Sequence, residues 1–196
     1  VTTLDPRKPW VLDLRELGRR AGSMSNVVMV VPAPEGLGTI GATVPPNADV
    51  ALDLRLQSVV EGVLVSGTAS ARVEAECSRC LDPVAFSVTA DLAELYVYPE
   101  TDSKGRVKRR EPDDPDWIDD QPTIEGDLLD LEATLRDAVV LALPVAPICR
   151  IDCLGLCPEC GFRLEGDPAH HHDQIDARWA ALAQVLGSQH DDKEEG

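Results

Sequence analysis

Four thiols and three imidazoles fall within the twenty-four residues from Cys149 to His172, CRIDCLGLCPECGFRLEGDPAHHH. Thiolate and imidazole are the donors that bind zinc. Inside this stretch Cys157-Pro158-Glu159-Cys160-Gly161 has the form of a zinc knuckle: a tight turn brings two thiolates to one tetrahedral ion, and the glycine permits close backbone approach. Cys149 and Cys153 supply two more thiols just upstream. Cys77-Ser78-Arg79-Cys80 repeats the two-residue spacing far away in sequence. Two ligands cannot close a structural site, so this pair needs two others from elsewhere. Zinc is therefore expected to tie the middle of the chain to its end.

Six cysteines and the adjacent His170, His171 and His172 make nine candidates, and a closed structural zinc takes four, so one or two ions are expected. The preferred partition gives Cys77, Cys80, Cys149 and Cys153 to one ion, because a helix ahead of Cys149 can return the chain to the sheet. Cys157, Cys160, His170 and His172 then hold the second, since alternate positions of a short extended segment point the same way; the choice of two among the three histidines stays open. A zinc-ribbon pairing of Cys77 and Cys80 with Cys157 and Cys160 is the main rival. A local four-cysteine site at Cys149, Cys153, Cys157 and Cys160 is the third arrangement.

Catalytic chemistry finds little support in the same residues. A hydrolytic zinc keeps an open position beside a general base, and the deaminase pattern, H-x-E ahead of P-C-x-x-C, is absent. A thioredoxin-like role for Cys77 and Cys80 lacks the βαβ context it requires. GLGTIG at 36–41 follows proline-rich sequence and opens no clear helix, so it does not read as a phosphate loop. No enzymatic activity and no small-molecule substrate are expected.

The elements that must position these ligands are clearest in the middle of the chain. Val50, Leu52, Leu54 and Leu56 alternate with Asp53, Arg55 and Gln57, the period of a half-buried strand. After a turn at Glu61-Gly62, Val63, Val65, Gly67, Ala69, Ala71, Val73, Ala75 and Cys77 share one face of a long second strand. A third follows Cys80 with Val84, Phe86, Val88, Ala90 and Leu92 inward, and a phase slip at Ala93 and Glu94 predicts a bulge. The first knuckle thus lies at the tip between two antiparallel strands. Earlier, Asp13-Leu14-Arg15-Glu16 resembles a capping box opening a short helix before Gly22, with a strand over Trp10 to Leu14 as the alternative. Asn26 to Val31 and Thr39 to Val44 are further candidate strands. Leu128, Leu131, Leu135, Val139 and Ala142 predict a helix from an Asp127 cap to about Leu143, ended by Pro144 and Pro147. Ile175, Trp179, Leu182 and Leu186 mark a last amphipathic helix closed by Gly187.

The expected fold class is α+β: an antiparallel β-sheet meander covered by helices, with a zinc-knuckle C-terminal segment. The expected divisions are a sheet domain over 1–148, a zinc-binding segment with its helix over 149–188, and an acidic tail over 189–196. Within the first, 99–126 reads as a mobile charged loop that cannot bury a core. In it Lys104, Arg106, Lys108, Arg109 and Arg110 precede a run of acids.

Charge narrows the partners. Thirty-five acidic residues against eighteen Lys and Arg give a net charge of −17, which repels phosphate backbones as a whole. Basic proteins fit this field, as does RNA met through a local basic patch, namely Arg79 or the strip from Lys104 to Arg110. The longest apolar run, Ala138 to Pro147, is too short to span a bilayer, so no membrane association is expected. The opening VTTLDPRKPW has neither a basic nor an apolar signal region, so a cytoplasmic, reducing location is expected.

The succession ECSRCLDPV, a charged loop, a helix ending LALPVAPIC, and DCLGLCPECG before a DARW helix resembles the YceD family of large-subunit ribosomal RNA accumulation proteins, in an actinobacterial-type form. The combination is specific where a single Cys-x-x-Cys is weak. The resemblance implies a role in large ribosomal subunit biogenesis, supporting processing or accumulation of its ribosomal RNA, with links to large-subunit proteins. It carries over onto Cys77, Arg79 and Cys80 and onto Cys149, Cys153, Cys157 and Cys160. Related chains often carry further cysteines where this one has His170 to His172. Two classes of function follow: an assembly factor holding a ribosomal protein or intermediate, or a zinc module that binds ribosomal RNA directly.

Overall fold

A computed structural model of the chain describes residues 4–99, 121–167 and 169–172. The chain divides into two compact units, 1–149 and 150–196.

In the first unit the period-two alternation produces what it should. Strand β4 (Asp49–Ser58) buries Val50, Leu52, Leu54 and Leu56 on one face. It pairs antiparallel with β5 (Gly62–Glu76), which pairs in turn with β6 (Pro83–Val97), so three consecutive strands form a meander. On the other side of β4 lies β2 (Met24–Pro32). Strand β6 pairs along the whole of β5, so β4 and the two-residue β3 (Ala42–Thr43) share the remaining edge of β5, with β3 opposite Glu74 and Ala75. The expected bulge at Ala93 and Glu94 is absent. The β5–β6 register runs unbroken from Gly62 opposite Val97 to Glu76 opposite Pro83, and Glu94 is a half-buried inward position opposite Val65. Gly67 is required where β5 crosses β4: its φ is +149°, and a Cβ there would run into the Asp53 carbonyl oxygen.

The capping-box reading near the N-terminus is corrected. Val11–Asp13 form strand β1, and Asp13 turns its carboxylate on Arg15 instead of opening a helix. Strand β1 pairs with β7 (Leu128–Asp130), and the Leu14 N–H donates to the Asp127 carbonyl at 2.8 Å. The helix expected from Asp127 therefore begins only at Glu132: α1 spans Glu132–Ala142. Just ahead of its N-cap, Leu131, the Asp130 carboxylate accepts from the Glu132 N–H at 2.9 Å. Leu135 and Val139 are buried where α1 packs against β6 and β5. It is the one helix among the described residues, so the expected cover of several helices is not what the sheet has there. The last amphipathic helix and the acidic tail lie outside the described residues.

The 99–126 loop is also corrected at its end. Thr123 bridges to Val97, and Ile124 is buried in the core, its N–H donating to the Val97 carbonyl at 2.9 Å. The basic strip from Lys104 to Arg110 lies outside the described residues. Among the described residues, no helix is long and apolar enough to cross a membrane.

Candidate metal centres

The two Cys-x-x-Cys knuckles are the same turn built twice. In the connection between β5 and β6 the Cys77 N–H donates to the Asp82 carbonyl at 2.8 Å, and the Leu81 N–H to the Cys77 carbonyl at 2.9 Å. In the second unit the Cys157 N–H donates to the Phe162 carbonyl at 2.8 Å, and the Gly161 N–H to the Cys157 carbonyl at 2.8 Å. The residue after the second cysteine is left-handed in both: Leu81 has φ +62°, Gly161 φ +72°. Only the second knuckle places glycine there, so the first carries backbone strain in a side-chain-bearing residue.

This turn aims backbone amides at the leading sulfur. The N–H groups of Cys80, then Arg79 and Cys149, hold the Cys77 thiol down to about 6 against the opposing effect of burial. Cys157 is lowered in the same way by the N–H groups of Cys160 and Glu159. Amide donors stabilise a thiolate over a thiol, and the thiolate is the form that binds metal.

The candidate ligands fall into two separate groups. Cys77, Cys80, Cys149 and Cys153 each offer a sulfur, and these atoms lie within 4.8 Å of one another. Cys157, Cys160, His170 and His172 form the second group within the same limit. The first knuckle meets Cys149 because the Ser78 N–H donates to the Pro147 carbonyl at 2.8 Å, fixing the segment that leaves α1. Cys80 Sγ and Cys149 Sγ are 3.7 Å apart. A disulfide would need about 2.0 Å, whereas a tetrahedral ion bonded to sulfur at about 2.3 Å requires sulfur–sulfur edges of about 3.8 Å. In the second group Cys160 Sγ lies 3.3 Å from Nε2 of both His170 and His172, and the two Nε2 atoms are 3.0 Å apart. Metal–nitrogen bonds of about 2.0 Å impose edges of about 3.3 Å between nitrogens and about 3.5 Å between nitrogen and sulfur, and the observed edges lie a few tenths of an ångström inside these. Donor types, number and spacing therefore fit one tetrahedral ion per group.

Burial separates them. In the first group Cys77, Cys80 and Cys153 are buried and Cys149 is exposed; in the second only Cys157 is buried. His171 stands outside both, its Nδ1 3.0 Å from the Ala169 carbonyl. That resolves which histidines converge, a choice the sequence left open. Arg79 is exposed at the tip of the first knuckle.

Two features were missed from the sequence. The Glu159 carboxylate lies 3.5 Å from His172 Nδ1, the ring nitrogen facing away from the other donors; its signal was its place inside the knuckle. The other is a groove of about 470 Å³ in the first unit, lined by Tyr96, Glu125, Asp130, Glu132, Arg136 and Asp137. Arg136 is engaged there, donating to the carbonyls of Gly36 and Glu35 at 2.7 and 3.1 Å and pairing with Glu132. The groove is thus acidic. Its carboxylates come from separate turns and strands, which no local pattern reveals.

Known proteins place these sites in context. The family model for "Large ribosomal RNA subunit accumulation protein YceD" matches residues 65–186, which take in both knuckles and all eight grouped ligands. Uncharacterized proteins of Mycobacterium tuberculosis and Mycobacterium bovis are each 41% identical over 183 residues, covering 93% of this chain and 84% of their own. One from Mycobacterium leprae is 39% identical over 178 residues, covering 91% of this chain and 78% of its own. No solved structure matches. A match over more than half the chain, joined to relatives of this identity and coverage, means that the chain belongs to the YceD family of large ribosomal RNA subunit accumulation proteins.

Proposed function

We propose that this protein is a non-enzymatic, zinc-binding factor in large ribosomal subunit biogenesis, which supports processing or accumulation of ribosomal RNA by holding a basic ribosomal protein or an assembly intermediate. The observation that carries the reading is the pair of four-donor groups within the segment the family model matches. Four protein ligands close a zinc site and leave no position for water or substrate, so the ion supplies rigidity rather than catalysis. Cys77, Cys80, Cys149 and Cys153 would hold one ion, and Cys157, Cys160, His170 and His172 the other. A basic partner is favoured by the net charge of −17 and by the carboxylates lining the groove beside α1.

Native mass spectrometry of the purified chain tests the metal half: two zinc ions are expected, with Cys77→Ser losing one and His172→Ala the other. A chain that carries no zinc, or a single ion untouched by Cys77→Ser, refutes it. Affinity purification from growing cells, followed by gradient sizing, tests the ribosomal half. Large-subunit precursors or proteins should co-purify, and depletion of the protein should lower mature large-subunit ribosomal RNA. Direct RNA binding through Arg79 or the Lys104 to Arg110 strip predicts a different outcome, tight binding to naked RNA that weakens steeply with salt.

A further inference from the structure

The two groups differ in the two properties that govern how easily an ion leaves. The first presents four thiolates, three of them buried, on a knuckle whose ends run directly into β5 and β6. The second presents two thiolates and two imidazoles, with Cys160 and His172 exposed. Its histidines come from a short segment whose described hydrogen bonds are local, such as the His170 N–H to the Asp167 carbonyl at 3.0 Å. Access of solvent to a site, and the groups behind its ligands, control how firmly it keeps a metal.

Those groups are themselves visible. Phe162 stacks on His170 with ring centroids 4.7 Å apart, which fixes one imidazole plane. His172 meets the His170 ring only edge-on, with centroids 4.7 Å apart, and what stands behind it is the Glu159 carboxylate, 3.5 Å from Nδ1. With Nε2 turned to the other donors, a carboxylate at Nδ1 selects the tautomer with the proton on Nδ1 and leaves the Nε2 lone pair for the ion.

We infer that the Cys157, Cys160, His170 and His172 group is the exchangeable zinc position of this protein, that the four-thiolate group retains its ion, and that Glu159 is the positioning residue that keeps His172 a ligand. The inference rests on the zinc reading above and extends it, since one chain would then hold a permanent ion and one that answers to zinc supply.

The test uses the full-length chain loaded with two zinc ions and challenged with the chromogenic chelator 4-(2-pyridylazo)resorcinol. Release should be biphasic, one ion leaving at least about tenfold faster than the other. His172→Ala should abolish the fast phase and spare the slow one, and Cys77→Ser the reverse. Glu159→Ala should weaken the fast site by about 10- to 100-fold, the usual effect of removing a carboxylate behind a ligating histidine. Glu159→Gln, which keeps an acceptor for the Nδ1 proton, should recover most of that loss. With Co²⁺ as the probe, the site filled last should show weaker thiolate charge-transfer absorption per ion, from two sulfurs rather than four. Release in a single phase, loss of the fast phase in Cys77→Ser, or a Glu159→Ala protein that releases zinc like the parent overturns the inference while leaving the zinc reading intact. A chain that binds no zinc overturns both.

Discussion

Leu81 occupies a backbone conformation its own side chain resists, and the same position in the other knuckle shows what the turn requires. Its φ of +62° lies in the left-handed region, where a residue with a Cβ is destabilised by roughly 1–2 kcal/mol. Gly161 meets the same demand without strain. Leu81 is 60% exposed, so its truncation gives up little burial. Leu81→Gly should therefore raise stability toward urea by about 0.5–1 kcal/mol, the relieved strain less the extra freedom of glycine in the unfolded chain. A loss of stability would mean that the side chain contributes through packing. Tyr96 supplies the pH dependence. Burial pushes its hydroxyl up to about 12 from its ordinary value of 10.0, against the lowering effect of its 2.6 Å hydrogen bond with Thr134. A raised folded value favours the protonated form, so this contribution is complete below pH 10 and is lost as pH rises through 12. Tyr96→Phe should flatten the fall in stability over that interval in pH-dependent unfolding. At neutral pH it should cost about 1 kcal/mol for the missing hydrogen bond. At this scale the sequence yields the thiols and their spacing, because a pair of thiols two residues apart is a local pattern. It does not yield Glu159 or the strain at Leu81, which exist only once the turn has closed.

Strands β4, β5 and β6 are legible because each buries one face, so period-two alternation is written directly into their residues. The misreading at Ala93 and Glu94 shows the limit of that code. A charged residue at an inward position looks like a slipped phase, yet the backbone ladder continues past it to Val97. Leu128 and Leu131 misled in the opposite direction. Their spacing from Leu135 and Val139 suits a helix, but the backbone of Leu128–Asp130 is claimed by β1, a partner from the other end of the chain. Gly67 is the most exacting position in the sheet. With φ +149° and the Asp53 carbonyl where a Cβ would go, Gly67→Ala must either shift β4 or break the pairing of Gly67 with Leu54. Destabilisation of about 2 kcal/mol or more is expected, read as a lowered urea midpoint with an unchanged slope. Ala69→Gly, two residues along on the same buried face, should cost only about 1 kcal/mol.

The two units draw on different sources of stability. The first has a continuous apolar core running from Leu12 through the sheet to Leu143, enough to hold a fold of its size without help from an ion. Among the described residues of the second, only Cys153, Gly155 and Cys157 are buried, while Ile151, Leu154 and Phe162 are exposed. Such a segment has little hydrophobic driving force, and metal binding is then inseparable from folding. Removal of the proposed zinc ions should therefore act unevenly. Hydrogen exchange of the zinc-loaded and exhaustively chelated protein should show the amides of β4, β5 and β6 protected in both states. The Gly161 amide and the Leu156–Arg163 bridge should be protected only with metal present. The Leu81 amide, at the end of a knuckle carried by the sheet, should lose part of its protection. Far-ultraviolet circular dichroism should retain its β-sheet signal throughout. Global unfolding on chelation would show that the aliphatic core cannot stand alone, and unchanged protection at Gly161 would show that the second knuckle closes without an ion.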